Sequence, residues 1–137
     1  MTEPLLAGIE RHAPEHLRFG AVPRDQIAVL EQRLGWPLPP ALTSVLTTIG
    51  NGIFFGHEEV FGPRRLMIHD IELLPDMMSV KAASPGLPEA WLPFHRRDGV
   101  VHAVDLSPEG FGQVHAWPGG APCGDVAPFL VARLTPP

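Results

Sequence analysis

Seven histidines in a chain of 137 residues are the side chains with the most chemistry on offer. His95, His102 and His115 fall in three successive apolar segments, and His57 and His69 precede them. A zinc centre needs three or four ligands converging at about 2.0–2.3 Å, usually announced by close spacing such as HxH or HExxH. Neither spacing occurs, and His57-Glu58-Glu59 lacks a second histidine four residues after the first. The histidines therefore read as separate surface or half-buried side chains. No metal and no other cofactor is expected.

Other chemistries find less. A nucleophile elbow of the GxSxG type is missing, and Cys123, the single cysteine, sits in a Gly-Ala-Pro-Cys-Gly loop with no basic neighbour to activate it. It can form no disulfide within the chain. The carboxylate pairs Glu58-Glu59 and Asp70/Glu72 are adjacent acids, which usually point apart and stay solvated. Gly110-Phe111-Gly112 reads as a turn, and no phosphate-cradling GxxxxGK[ST] or GxGxxG motif appears. No catalytic residue is assigned, and the chain reads as a non-enzyme.

Net charge is -5, and the basic residues cluster only at Arg64-Arg65 and Arg96-Arg97. Nucleic-acid binding requires a basic face that displaces counterions, so this balance has the wrong sign. No apolar run approaches the ~20 residues of a membrane span, and the N-terminus lacks a signal-peptide pattern. With one cysteine, these features point to the cytoplasm.

The elements that would carry these residues follow from periodicity. Glu3 to His12 reads as a short helix. Arg24 to Leu34 carries Ile27, Leu30 and Leu34 on one stripe, with Gly35 as its left-handed stop. After Pro37, Pro39 and Pro40, a second helix places Leu42, Val45, Leu46 and Ile49 together and ends at Gly50. Asn51-Gly52 then reads as a turn before Ile53-Phe54-Phe55. Val60-Phe61 and Leu66 to Ile68 are short strands, and the stretch from Asp70 is ambiguous before a helix over about 76–82. Trp91 to His95 and Val100 to Leu106 form a hairpin through Asp98-Gly99, followed by a strand from Gln113 to Trp117. A last helix carries Phe129 and Leu130, with Asp125 as its cap and Pro128 in its first turn. Helices, then strands, then a helix predict one α+β domain over 1–137, its core about 21–134. Its antiparallel sheet of about four to six short strands packs against N-terminal helices and a C-terminal helix.

Several cues fall in an order that resembles the SUKH superfamily, the Smi/Knr-type proteins. These are Leu30-Glu31 then Leu34-Gly35, Leu38-Pro39, Ile49-Gly50-Asn51-Gly52, and Leu92-Pro93-Phe94 before Asp98-Gly99. Val104-Asp105-Leu106, Gly112-Gln113-Val114 and Phe129-Leu130 complete the series, so the resemblance covers roughly 21–134. It implies helices packed on an antiparallel sheet, no catalytic residue, and a protein partner. For bacterial members that partner is a toxin, which the immunity protein binds and neutralises. The alternatives are an intracellular scaffold or regulator of the Smi/Knr type, or a small His-containing metal-dependent enzyme. Exposed acids and aromatics on loops are the expected contacts: Phe55 as an apolar anchor, with Glu58 and Glu59 beside it.

Overall fold

The computed structural model describes residues 2–137. Helix α1 (Thr2–Arg11) and a single 3₁₀ turn (Ala13–Glu15) lead into the two-residue strand β1 (Leu17–Arg18). Helix α2 (Arg24–Leu34) spans the expected stretch and ends as its sequence dictates. Gly35 adopts φ 76°, and its N–H donates to the carbonyl of Glu31. The Glu31 carboxylate accepts from the Leu38 N–H at 2.7 Å, which ties the Pro-rich restart to the helix just ended. Helix α3 (Pro40–Thr48) starts on a proline, whose missing N–H costs nothing there.

Gly50 does more than stop α3. Its φ is +93°, and a Cβ at that position would lie 1.9 Å from the carbonyl oxygen of Gly20. Only glycine permits that backbone crossing. The Asn51-Gly52 pair is not the turn its composition suggested. Asn51 is buried and donates its side-chain N–H to the Arg64 carbonyl, while Gly52 opens strand β2 (Gly52–Phe54). A Cβ on Gly52 would sit 2.5 Å from the Leu17 carbonyl, so the glycine serves the close approach of β1.

Strand β3 (Glu58–Val60) returns from β2, and the hairpin β4 (Leu66–Ile68) and β5 (Ile71–Leu74) stands as a separate two-stranded sheet. His69 and Asp70, both at positive φ, turn that hairpin, which resolves the stretch left ambiguous by periodicity. Helix α4 (Met77–Ala82) is capped by Asp76, whose carboxylate accepts from the Ser79 N–H at 2.9 Å. Then come β6 (Trp91–Arg97), β7 (Val100–Asp105), β8 (Gln113–Trp117), β9 (Pro122–Asp125) and helix α5 (Val126–Leu134).

The main sheet runs β1-β2-β3-β6-β7-β8-β9, with every neighbouring pair antiparallel. Seven strands exceed the expected count because β1 and β9 are edge pieces whose sequences show no apolar alternation. Helices α1, α3 and α5 contact one another, and α5 also lies on β8 and β9. Ile27 and Leu30 of α2, with Leu42, Val45 and Leu46 of α3, join one hydrophobic cluster with Phe54, Val60, Leu92, Phe94, Val104 and Val114 of the sheet. The fold is α+β, as the element order predicted. Among the described residues no helix is long and apolar enough to cross a membrane.

Candidate functional site

The ionisable side chains converge in the middle of the sheet, under α5. A two-residue turn at Asp98-Gly99, both at positive φ, sets the register of the β6–β7 hairpin: Arg97 opposite Val100, Arg96 opposite Val101, His95 opposite His102. On the other side, β3 pairs Val60 with His95 and Glu59 with Arg96. Alternation then sends Glu58, His95, Arg97 and His102 to one face, and Glu59 with Arg96 to the other. The β6 register shifts between Pro93 and His95, where proline has no N–H for the ladder. That bulge turns both Phe94 and His95 toward α5, and both rings meet Phe129, at 5.5 and 5.2 Å between centroids.

Glu58 and His95 are almost wholly buried, at 2% and 0% exposure, and His102 follows at 7%. Glu58 Oε1 lies 2.7 Å from His95 Nε2, and Glu58 Oε2 accepts from Arg97 Nη1 at 2.7 Å. His57 Nε2, at the surface end, is 3.1 Å from the same oxygen. The His95 and His102 Nδ1 atoms face each other at 3.0 Å. Burial, then His102 and the Arg133 and Arg97 cations, pushes the His95 pKa down to about 3. Burial, followed by Arg133, also lowers that of His102. Both rings are thus neutral near pH 7. Neutrality assigns the tautomers: His95 donates from Nε2 to the carboxylate, so its Nδ1 accepts from the Nδ1–H of His102.

The remaining histidines go elsewhere. His115 pairs with Ala103, out of phase with His102, and stacks on Trp91 with ring centroids 4.2 Å apart. His69 is exposed in the β4–β5 turn. His16 accepts at Nδ1 from the Phe55 N–H at 3.0 Å, and burial lowers its pKa. Among the described residues no group of three or more His, Cys, Asp or Glu is arranged to hold a metal ion.

Reading the histidines as separate missed the His95–His102 pair, and the missed signal was present. A two-residue Asp-Gly turn counted outward by three positions places those two rings opposite each other. The residues expected to contact a partner do not lie on an exposed loop. Phe55, at 8% exposure, turns the β2–β3 hairpin with its ring edge against His16. Glu58 and Glu59 belong to β3. Glu59 remains at the surface, one quarter exposed, with Arg96 Nη2 at 2.6 Å.

Residues 21–132 match the sequence model of the SMI1 / KNR4 family (SUKH-1). The chain belongs to that family. The match takes in every residue of the Glu58–His95–His102 cluster and all of the sheet except β1. Among curated proteins, none matches this SUKH-1 chain.

Proposed function

We propose that this SUKH-1 domain acts by binding a protein, and that the partner is a bacterial toxin which it neutralises in the cytoplasm. One observation carries the binding reading: the chain's most reactive-looking groups are spent on each other. Both oxygens of Glu58 are engaged, and the His95 ring is held at both nitrogens. A general base needs a free nitrogen or oxygen within reach of a substrate proton. Here the cluster ties β3, β6 and β7 together and gives the sheet a fixed register, which is what a recognition scaffold requires. The toxin role is supported by the family's usual work in bacteria.

Of the three contact residues, Glu59 is the one that meets a partner, and Phe55 and Glu58 hold its strand in place from beneath. A specific interface of this kind buries roughly 800 Å² on each side. The test is co-expression with a candidate toxin taken from a neighbouring gene. Cells survive and the two proteins co-purify if the reading holds; absence of both protection and binding overturns it.

A further inference from the structure

Beside the buried cluster, the end of β6, strand β9 and α5 enclose a surface cleft of about 340 Å³. Arg97 and Arg133 line it, with Phe129, Pro128, Cys123 and Asp125. We infer that this cleft receives an aspartate or glutamate side chain of the protein partner, clamped between the Arg97 and Arg133 guanidiniums. The inference rests on the protein-binding reading and names the chemistry that the partner brings.

Charge is the first argument. In a chain of net charge -5, two guanidiniums facing one cleft run against the overall balance. Arg133 has no carboxylate partner among the described residues; its guanidinium carbon stands 4.9 Å from the Phe129 ring centroid. Arg97 gives Nη1 to Glu58, and its Nε lies 3.7 Å from the exposed Asp98. A guanidinium carries five donors, so both arginines keep N–H groups for a further oxygen pair. The imidazoles behind Phe129 are neutral and the Glu58 carboxylate offsets Arg97, so among the described residues Arg133 is the positive charge at this place that no carboxylate pairs with.

The other walls narrow the ligand. Phe129 and Pro128 offer apolar surface to the methylenes of a side chain. The Cys123 thiol donates to the Ala121 carbonyl at 3.4 Å. Asp125 is the cleft's own acid, and it accepts from the Gln113 side-chain amide. One negative charge in the wall penalises a doubly charged phosphate more than a singly charged carboxylate. A protein carboxylate therefore fits better than a phosphate group.

The test uses the isotope-labelled chain and two capped peptides, Gly-Glu-Gly and Gly-Gln-Gly, followed by amide and guanidinium NMR shifts. The Glu peptide is expected to move signals of Phe129 to Arg133 and the Arg133 side chain, whereas the Gln peptide leaves them. Arg133→Gln abolishes the response. Arg65→Gln, which removes the exposed partner of Glu72 on the β4–β5 side, preserves it. Equal shifts from both peptides overturn the assignment, as does inorganic phosphate moving the same signals at lower concentration. Against the cognate toxin, Arg133→Gln is expected to weaken binding by about tenfold or more, the range for a desolvated charge pair. If the toxin binds wild type and variant equally, the cleft assignment falls and the immunity reading stands. If no toxin binds but the Glu peptide does, the toxin reading falls and the carboxylate site remains.

Discussion

The helical pair α2–α3 and the strands β3, β6 and β7 fill the same hydrophobic cluster by opposite means. In the helices the buried positions are Ile27, Leu30, Leu42, Val45 and Leu46, all aliphatic and spaced by three or four. In the strands a carboxylate and an imidazole, Glu58 and His95, occupy positions just as dry as those leucines, with the buried His102 beside them. The first region gains its stability from apolar area and tolerates imperfect neighbours. The second is stable only while every polar atom keeps its partner, because an unpartnered buried group carries its full desolvation penalty. Adhesion in the helices is therefore non-directional, whereas in the strands it is directional and reinforces the register that the Asp98-Gly99 turn sets.

The largest expected effect comes from breaking the directional region. Glu58→Ala leaves the Arg97 guanidinium and the His95 Nε2–H without their acceptor inside the sheet. Two charge-assisted hydrogen bonds are lost, one to the buried His95 and one to the 41%-exposed Arg97, and at about 1.5–3 kcal/mol each they cost about 3–5 kcal/mol together, the solvated Arg97 bond giving the smaller share. Urea denaturation of the purified variant should show that loss. A variant within 1 kcal/mol of wild type would mean that water replaces the carboxylate at no expense, and the comparison would fail.

Leu46→Ala breaks the other region. Leu46 is fully buried, and deletion of its side chain costs about 2–5 kcal/mol through lost transfer energy and the cavity left behind. The two variants differ in kind as well as size. Leu46→Ala should leave the hydrogen-bonded imidazole protons of His95 and His102 visible by NMR, whereas Glu58→Ala should move or remove them.

The same contrast governs what could be read from the residues beforehand. Helices α2 and α3 were legible because their stripe and their stops, Gly35 and Gly50, are local signals. The β6–β7 hairpin was legible from Asp98-Gly99, and the bounds of α4 from Pro75, which precedes it. The Glu58–His95 contact was not, because Glu58 reaches His95 across 37 positions and no local pattern announces that pairing. Alternation also misleads at Pro93, where the bulge turns two consecutive residues inward. Strand β5 was hidden because His69-Asp70 contains no glycine or Asn-Gly pair to announce a turn, although His and Asp are among the non-glycine residues that accept positive φ. Asn51-Gly52 carried a turn's composition while serving packing, since Gly52 is there for the approach of Leu17.

Acid sharpens the comparison next. A histidine in the unfolded chain takes its proton near pH 6.5, whereas His95 in the folded chain takes one only near pH 3. Between those values the unfolded state binds a proton that the native state refuses, so falling pH favours unfolding. The His95 contribution to stability is fully present above pH 6.5 and is lost at up to about 1.4 kcal/mol per pH unit as pH drops from 6.5 toward 3, and the lowered His102 and His16 act in the same direction. Denaturation curves at pH 7, 6, 5 and 4 measure this slope. Leu46→Ala should keep it, displaced downward by a constant. A wild-type profile flat over that range would contradict a buried neutral His95.

The smallest effect is the most telling, because it comes from the residue next to Glu58 in the chain. Glu59 meets Arg96 at 2.6 Å, a shorter contact than Glu58 makes with Arg97, and distance alone would rank it the stronger pair. Solvent reverses the ranking. Glu59 and Arg96 are one quarter and one third exposed, so water screens their attraction and rehydrates whichever partner is left behind. A double-mutant cycle on Glu59→Ala and Arg96→Ala should return a coupling of roughly 0.2–1 kcal/mol. The Arg96 guanidinium also lies 5.3 Å from the Phe61 ring centroid, so the single Arg96 substitution should cost more than the Glu59 one. A coupling near that of the buried carboxylate would show that strand pairing, not burial, sets the strength of these ion pairs.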